Sequence, residues 1–408
     1  MNIATRIQQL LKLPSRLENV IQSYLLYLLL GGARRTLQGA SHLSGLHSSQ
    51  FSRLLSNYNS LAHDQLNRQC KRRLKSILRK RKSLIPGSPW TIALIIDATL
   101  HERSSRHTDN AQRFNHGQGW IVGHQWTNLL LLINGQRIPL PPIPFLTHEK
   151  CKELGQEYKT EPKRIIESLK KRDWKSLLPA VQSREILVLS DSGYDNKSLQ
   201  RFILSQGWGF LGSIKKSRSV RTQTQGWQSV VELFQNTRKK GPWQTIRHTA
   251  NGGKKRKLVN LRTLIGSLKG VPSEVAIVSA EKPNKDRLYL ACSKSNLNPG
   301  LIARLYKLRW SIELFHRELK SYLGFEDAGL TRFEAIYSHV LWVYSAYLLL
   351  PQLTADLPSV GILARKQHLQ KLLRKEEIGR ILKLNSRFDS QKAVRSFCSE
   401  VKEVIEAA

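Results

Sequence analysis

Several features are scarce or missing in this 408-residue sequence, and each shortage excludes a class of protein. The four cysteines lie far apart and form no Cys-x-x-Cys pair, at positions Cys70, Cys151, Cys292 and Cys398. This spacing indicates neither a structural zinc site nor a disulfide framework, and it is typical of proteins in a reducing compartment. A glycine-rich phosphate loop and a Gly-x-Ser-x-Gly elbow are also missing, which argues against an NTPase or an elbow hydrolase.

Long apolar runs are also missing. The run from Tyr24 to Leu30 is too short to span a bilayer and is followed at once by two glycines. Residues 340 to 350 are apolar but short, and they predict a buried helix. The chain does not begin with a signal-peptide pattern. We therefore expect a soluble intracellular protein that has no membrane contact.

Acidic residues are scarce as well. Asp and Glu number 30 against 66 Lys and Arg, which gives a formal charge of +36. Such an excess of one sign opposes compaction unless a polyanion neutralises it, and nucleic acid is the obvious partner. A basic structural protein, such as a ribosomal protein, is the alternative. The 40% hydrophobic content and nine tryptophans favour a folded enzyme of two to four domains.

The first 88 residues predict a helical DNA-binding domain. Residues 36–43 and 48–57 form two helices around a short turn, with Ser48 or Ser49 as the cap of the second helix. A plain helical hairpin would give the same pattern. Candidate phosphate contacts lie on the outer face of the second helix and in the basic run that follows it, at Arg53, Arg73, Lys80 and Arg81.

From residue 89 strands alternate with helices, which indicates an α/β core. Two buried strands, 91–96 and 185–189, end close to Asp97 and Asp191. Sheets of this class place ligand-binding groups at the carboxyl ends of their strands. An aspartate at such a position also commonly caps the next helix, as we expect for Asp195.

The remaining pattern completes the division of the chain. Further strands are predicted at 119–122, 129–133 and 208–214, and helices at 161–172, 196–205, 299–321 and 332–350. Residues 216–296 predict an all-β insertion because strand patterns there alternate with turns rich in glycine, proline and lysine. We therefore predict five segments: helical DNA-binding domain 1–88, core 89–215, insertion 216–296, core 297–350 and C-terminal helical tail 351–408.

The segment 306–320 is the most informative. On one helix, Tyr306, Glu313 and Lys320 recur every two turns on one stripe, beside an apolar stripe that would face a core. Arg309 and Arg317 lie four residues to either side of Glu313, which is also the spacing of ordinary helix ion pairs. A single carboxylate among cations suits a site that binds metal and phosphate together.

Together, Asp97, Asp191 and Glu313 supply three acids from two strands and one helix. Three carboxylates in one pocket repel each other, and hard divalent cations such as Mg²⁺ or Mn²⁺ neutralise them with oxygen ligands. Two such ions activate the attacking oxygen and stabilise the leaving oxygen in a displacement at phosphorus. The acids therefore predict metal-dependent phosphoryl chemistry.

The residues Tyr306, Arg309, Glu313 and Lys320 resemble the Tyr-x2-Arg-x3-Glu-x6-Lys signature of bacterial insertion-sequence DDE transposases. The segments Ile96-Asp97-Ala-Thr99 and Leu189-Ser-Asp191-Ser-Gly193-Tyr194 resemble the first and second acid segments of that family. The β-rich block before the glutamate resembles the family's insertion.

This resemblance implies an RNase H-like mixed-sheet core flanked by helices. In that core Asp97, Asp191 and Glu313 would be catalytic and bind two Mg²⁺ ions, with Mn²⁺ as a substitute. Tyr306, Arg309 and Lys320 would hold DNA phosphates, and Arg317 is a further candidate. The implied activity is cut-and-paste transposition, which cleaves terminal inverted repeats and joins 3′ hydroxyl ends to target DNA. A homodimer would form the synaptic complex in a prokaryotic, nucleoid-associated setting, with the C-terminal tail as the dimerisation segment.

Two other functions stay open: a DNA-binding regulator that keeps the fold without chemistry, and an RNase H-like nuclease without strand transfer. Weak candidates for DNA contacts follow the first acid, at His101, Arg103, Arg106 and His107, although loop charges without a role fit equally. Trp227 or Trp243 could stack an extruded base, although core packing is the more frequent role of a tryptophan.

Overall fold

The computed structural model describes residues 3–32, 35–103, 107–115, 119–236, 244–249, 256–281, 287–357 and 360–385. Its helices are α1 Ile3–Leu11, α2 Ser15–Leu30, α3 Leu37–Ser44, α4 Ser48–Asn57, α5 Asn59–Leu78, α6 His148–Glu153, α7 Glu161–Lys171, α8 Trp174–Leu177, α9 Lys197–Ser205, α10 Val230–Asn236, α11 Pro299–Lys307, α12 Trp310–Tyr322, α13 Phe333–Leu353 and α14 Ile362–Asn385. Its strands are β1 Ile92–Glu102, β2 Gln112–Asn115, β3 Trp120–Ile133, β4 Gln136–Pro139, β5 Ile143–Pro144, β6 Ile186–Ser190, β7 Gly209–Ser213, β8 Ser219–Arg221, β9 Gln228–Ser229, β10 Gln244–Thr249, β11 Arg256–Leu268, β12 Glu274–Glu281 and β13 Arg287–Cys292.

A mixed sheet of 13 strands forms the centre of the described structure, with the main order β2-β3-β1-β6-β7-β13-β12-β11-β8-β9. Strand β3 runs antiparallel to β1, whereas β1, β6 and β7 run parallel to one another. Helices pack against the sheet, and further helices precede and follow it along the chain. This architecture confirms the predicted α/β, RNase H-like core.

Strand β3 is longer than the sequence predicted. The two strands expected at 119–122 and 129–133 are one strand, and β1 continues past Asp97 to Glu102 while pairing with it. Gly123 permits this pairing, because a Cβ atom there would lie 2.1 Å from the main-chain oxygen of His101. The absence of a side chain at Gly123 therefore lets the two strands approach.

The insertion extends the core sheet rather than forming a separate one. Strands β11, β12 and β13 form an antiparallel meander, and β13 pairs with β7 of the core. The pattern predicts strands here at 243–249, 258–264, 275–280 and 287–292, and β10 to β13 correspond to them. Helix α10 is a short helix inside a segment expected to be all-β. The insertion therefore lies at one edge of the core sheet.

The N-terminal helices pack around α13, which is buried along most of its length. The hydroxyl of Tyr24 on α2 lies 2.7 Å from Nδ1 of His339 on α13, and both side chains are buried. In the described ranges, none of the helices combines the length and the apolarity needed to cross a membrane. Residues 386–408 of the predicted tail, including Cys398, lie outside the described residues.

Helices α3 and α4 form the predicted helix-turn-helix pair. Gly45 ends α3 in a left-handed conformation with φ of 71°. The cap of α4 is His47 and not Ser48 or Ser49, because the His47 ring accepts a hydrogen bond from the Ser49 main-chain nitrogen. Arg53 is exposed on α4.

The helix predicted at 299–321 is interrupted. Helix α11 ends at Lys307 and α12 begins at Trp310, and the link uses hydrogen bonds between residues three apart. The Arg309 nitrogen donates to the Tyr306 oxygen at 3.1 Å, and the Ser311 nitrogen donates to the Leu308 oxygen at 3.0 Å. This tight turn divides the predicted helix into two, although Leu308 and Arg309 keep right-handed helical dihedrals.

Candidate active site

Two acids lie at the same end of the parallel strands of the sheet. The parallel pairing of β1 with β6 ends at the pair Ile96 and Ser190, so Asp97 and Asp191 occupy the next position on two adjacent strands. Neighbouring strands lie about 4.8 Å apart. Oδ1 of Asp97 accepts a hydrogen bond from the Ala98 nitrogen at 3.0 Å, and Oδ1 of Asp191 accepts one from the Gly193 nitrogen at 2.8 Å. The register of the sheet therefore brings these two carboxylates together.

Arg309 connects Asp97 to Glu313. Its Nη1 atom lies 3.5 Å from Oδ2 of Asp97, and its Nη2 atom donates a hydrogen bond to Oε1 of Glu313 on the next turn of helix. The side chains are partly buried, with exposures of 16% for Arg309, 17% for Asp97 and 31% for Glu313. A single guanidinium thus bridges an acid of the sheet and an acid of α12.

Burial and neighbouring charge perturb the first acid. The pKa of Asp97 is raised to about 7, first by burial and then by the Asp191 carboxylate, with a smaller contribution from Glu313. Arg309 opposes this rise in pKa, as does the hydrogen bond from Ala98. A carboxyl whose pKa is raised by a neighbouring carboxylate lies in a site that favours a cation.

The donor types at this site fit a hard divalent cation, because carboxylate oxygens are the ligands that Mg²⁺ and Mn²⁺ prefer. In the part of the chain that the structure describes, no group of three or more His, Cys, Asp and Glu side chains is arranged to hold a metal ion. Arg309 holds Asp97 and Glu313 in the place of such a cation. A cation that used both carboxylates would therefore compete with this side chain.

A buried polar network, which sequence reasoning missed, positions α12 against the sheet. Asn128, the partner of Asp97 across β1 and β3, lies 2.8 Å from Nε2 of His316 and accepts a hydrogen bond from the Tyr344 hydroxyl. Burial, together with Lys320 and Arg309, lowers the pKa of His316 to about 3, so the ring is neutral and accepts from the Asn128 amide. The network fixes the helix one turn from Glu313.

Glu161 is a further acid near this edge that the sequence did not indicate. Its Oε1 accepts hydrogen bonds from the Thr127 hydroxyl at 2.6 Å and the Tyr194 hydroxyl at 2.9 Å. Tyr194 belongs to the segment that follows Asp191. From the sequence, Glu161 could be predicted only as the first residue of a helix. Its two hydroxyl partners are neutral and lie in distant segments, so no pattern in the sequence indicates them.

The residues expected to hold phosphates have partners within the protein. The Tyr306 hydroxyl donates to Oγ of Ser213 at 3.0 Å. Nζ of Lys320 donates to the Leu100 oxygen at 2.7 Å and forms an ion pair with Glu326 at 2.7 Å. Arg317 is exposed on α12. The structure thus places Arg309 at the acids and Lys320 beside the extension of β1.

Three N-terminal candidates lie at the opposite end of the core strands from the acids. Arg81 forms a two-atom pair with Glu185, directly before β6, at 3.0 Å for both contacts. Arg73 donates to Oε1 of Gln136 in β4, and the main-chain oxygen of the exposed Lys80 accepts from Asn134 in the β3–β4 turn. These residues are not brought to the acids.

The weak candidates after Asp97 differ in exposure. His101 is 0% exposed and packs against Phe325, so in this conformation it is wrong as a DNA contact. Arg103 donates to the Ala328 oxygen at 2.7 Å, and His107 is exposed. Arg106 and Trp243 lie outside the described residues. The cap predicted at Asp195 is instead Asn196, whose side chain accepts from two nitrogens of α9.

A family model with the description "Transposase DDE domain" matches residues 91–349. The match covers more than half of the chain and includes Asp97, Asp191 and Glu313. A search of curated proteins finds no match.

Proposed function

We propose, since the chain belongs to the DDE transposase family, that it carries out cut-and-paste transposition of an insertion sequence. It would bind the ends of its element, cleave them by phosphodiester hydrolysis and join the 3′ hydroxyl ends to target DNA. We place it in the group with the Tyr-Arg-Glu-Lys signature. The observation that carries this proposal is the convergence of Asp97 and Asp191 at one sheet edge, with Glu313 tied to Asp97 through Arg309.

In this proposal Asp97, Asp191 and Glu313 hold two Mg²⁺ or Mn²⁺ ions. The bound ions would activate the attacking oxygen and stabilise the leaving oxygen of the displacement. The acids must be ionised to do so, and the raised pKa of Asp97 means that this carboxyl loses a proton near neutral pH. The neutral His316 and its Asn128 partner keep α12 against the sheet, so that Glu313 stays near the strand acids.

Arg309 has two roles in this scheme. In the structure it neutralises Asp97 and Glu313. If cations displaced it from these two acids, its planar guanidinium would be free to bind a DNA phosphate beside the site with two parallel hydrogen bonds. Lys320, Tyr306 and the exposed Arg317 would contact neighbouring phosphates of the element end. The charge of +36 supports a large total of such contacts.

Segments outside this core would contribute to DNA binding and to assembly. We propose that residues 1–88 contribute to DNA binding through the exposed Arg53 and Lys80, and that two chains assemble on paired element ends. Arg73 and Arg81 contribute less, because each already has a partner within the protein.

The test uses DNA that carries the inverted repeats flanking the gene. With Mg²⁺ or Mn²⁺, the full-length protein should nick these ends and join them to a plasmid. Asp97→Ala should abolish both steps and leave binding intact. The matched control is Glu157→Ala, because Glu157 is an exposed acid in the loop between α6 and α7 and is not one of the three acids of the site. Bound but intact DNA would instead support the regulator, and cleaved ends that never join would support the nuclease.

A further inference from the structure

Three arginines line a cavity of about 560 Å³ that lies away from the acids. They come from distant parts of the chain: Arg73 from α5, Arg137 from β4 and Arg365 from α14. The β3–β4 turn at Asn134 and Gly135 forms another part of the wall, so the cavity lies at the end of the core strands opposite the acids. Among the lining residues that the structure describes, none is an aspartate or a glutamate.

The hydrogen-bond partner of Arg73 does not neutralise its charge. Nη2 of Arg73 donates to Oε1 of Gln136 at 2.6 Å, and this amide is neutral. The pKa of Arg73 is lowered, first by burial and then by the charge of Arg365. The fold thus holds two half-buried guanidinium groups close enough to repel each other, in a place where water screens the repulsion only partly. An anion between the two groups would offset this repulsion.

Arg137 supplies a further donor in the same wall. Its Nη2 atom pairs with Glu318 of α12 at 2.9 Å, whereas its Nη1 atom is buried and has no partner within the described residues. A buried N–H group without an acceptor is unfavourable, and an oxyanion would supply the acceptor. Nη1 of Arg365 donates to the main-chain oxygen and to Oγ1 of Thr354, both at 2.9 Å. These contacts hold the Arg365 side chain at the cavity.

We propose that this cavity binds a phosphate group, held by Arg73, Arg137 and Arg365. Guanidinium groups bind oxyanions through two parallel N–H donors. A tetrahedral phosphate directs its oxygens to several sides, which suits arginines from three elements, whereas a carboxylate has two oxygens in one plane. The phosphate belongs either to a DNA backbone or to a small phosphorylated molecule. Because the cavity and the acids lie at opposite ends of the core strands, its ligand is not the phosphodiester that reacts in the proposed function.

The experiment measures the binding of pyrophosphate to the full-length protein by calorimetric titration, without metal and in a chloride buffer. The wild type should bind pyrophosphate saturably. Arg73→Gln and Arg365→Gln should each weaken this binding by about 10- to 100-fold, because each removes hydrogen bonds from a charged group to the phosphate. Arg73→Lys should weaken it less, since the positive charge remains. Thermal melting confirms that each variant is folded.

The matched control is Arg72→Gln. Arg72 is an exposed arginine next to Arg73 on α5, and its side chain donates to the main-chain oxygen of Leu10, which is not part of the cavity wall. Pyrophosphate binding that is unchanged in both Arg73→Gln and Arg365→Gln would overturn the inference. An equal loss in Arg72→Gln, or a wild type that binds no pyrophosphate, would overturn it as well.

A DNA duplex then distinguishes the two sources of phosphate. If the duplex displaces the bound pyrophosphate from the wild type, the site holds a DNA backbone phosphate. If the duplex binds and leaves the pyrophosphate in place, the site holds a small phosphorylated molecule. Both results support a phosphate site. The titration needs neither metal nor cleavage, so a failure to nick element ends would count against the proposed function and leave this inference intact.

Discussion

Replacing Arg309 by glutamine should increase the affinity of the DNA-free protein for Mn²⁺. The side chain bridges Asp97 and Glu313, so a cation that uses these carboxylates must first displace it. Glutamine is shorter and neutral, and it cannot bridge the two acids as an ion pair. The substitution therefore removes the competitor and leaves the three carboxylates in place.

The size of the effect follows from the two contacts. A hydrogen bond to a charged group contributes about 1.5–3 kcal/mol when well formed. The Asp97 contact is long at 3.5 Å and the side chains are partly exposed, so about 2–3 kcal/mol is a reasonable sum for both contacts. Each 1.4 kcal/mol is tenfold in affinity, which gives a dissociation constant lower by about 30- to 150-fold.

Calorimetric titration with Mn²⁺, without DNA, measures this change directly. Because Arg309 lowers the pKa of Asp97, its removal lets a proton compete with the metal, and the titration is therefore done at about pH 8.5. Arg317→Gln is the matched control, since Arg317 is an exposed arginine on the same helix. An Arg309→Gln affinity equal to or weaker than that of the wild type would refute the idea that Arg309 occupies the place of a cation.

Four further predictions concern stability, and one of them also concerns DNA binding. The pKa of Asp97 is raised, so the stability that this protonated carboxyl contributes is lost as pH rises from about 4 to about 7. At about pH 8 and without metal, Asp97→Asn should therefore have a free energy of unfolding about 1–3 kcal/mol higher than the wild type, and thermal melting should show a higher melting temperature. The pKa of Glu185 is lowered to about 2, first by the hydrogen bond from Arg81, so Arg81→Ala should cost about 1–2 kcal/mol near pH 7 in urea unfolding, and this difference should disappear as pH falls through about 2. Lys80→Ala should change stability by less than about 0.5 kcal/mol yet lower the salt dependence of DNA binding. Gly123→Ala should cost about 2 kcal/mol or more in the same unfolding assay, because its Cβ would collide with backbone of β1.

The sheet and the two strand acids could be predicted because their signals are local. A continuous apolar run predicts a strand buried on both faces, and the acid that follows it marks the end of that burial. Asp97 and Asp191 then meet because the parallel register aligns Ile96 with Ser190. The extension of β1 to Glu102 was missed, since its pairing with β3 depends on a glycine that propensity treats as a break.

Contacts between distant segments could not be predicted in the same way. Arg81 was expected to face phosphates because it lies in a basic run, but Glu185 is brought to it by the fold from more than a hundred positions away. The same applies to Asn128 and His316, which are neutral partners without a charge pattern. Long-range pairs of this kind depend on the topology of the sheet, so neither the composition nor a local sequence pattern predicts them.

Arg309 shows why the two interpretations of the 306–320 segment are not alternatives. The spacing of Arg309 and Glu313 predicted either an ordinary helix ion pair or a face that binds metal and phosphate. The ion pair is present, but the tight turn before α12 also places the guanidinium within reach of Asp97, so the pair includes an acid of the sheet. An ordinary surface pair would contribute a few tenths of a kcal/mol and leave the strand acids unaffected. This one lowers the pKa of Asp97 and holds the carboxylates that a cation would need, so the structural interaction and the proposed metal site compete for the same atoms.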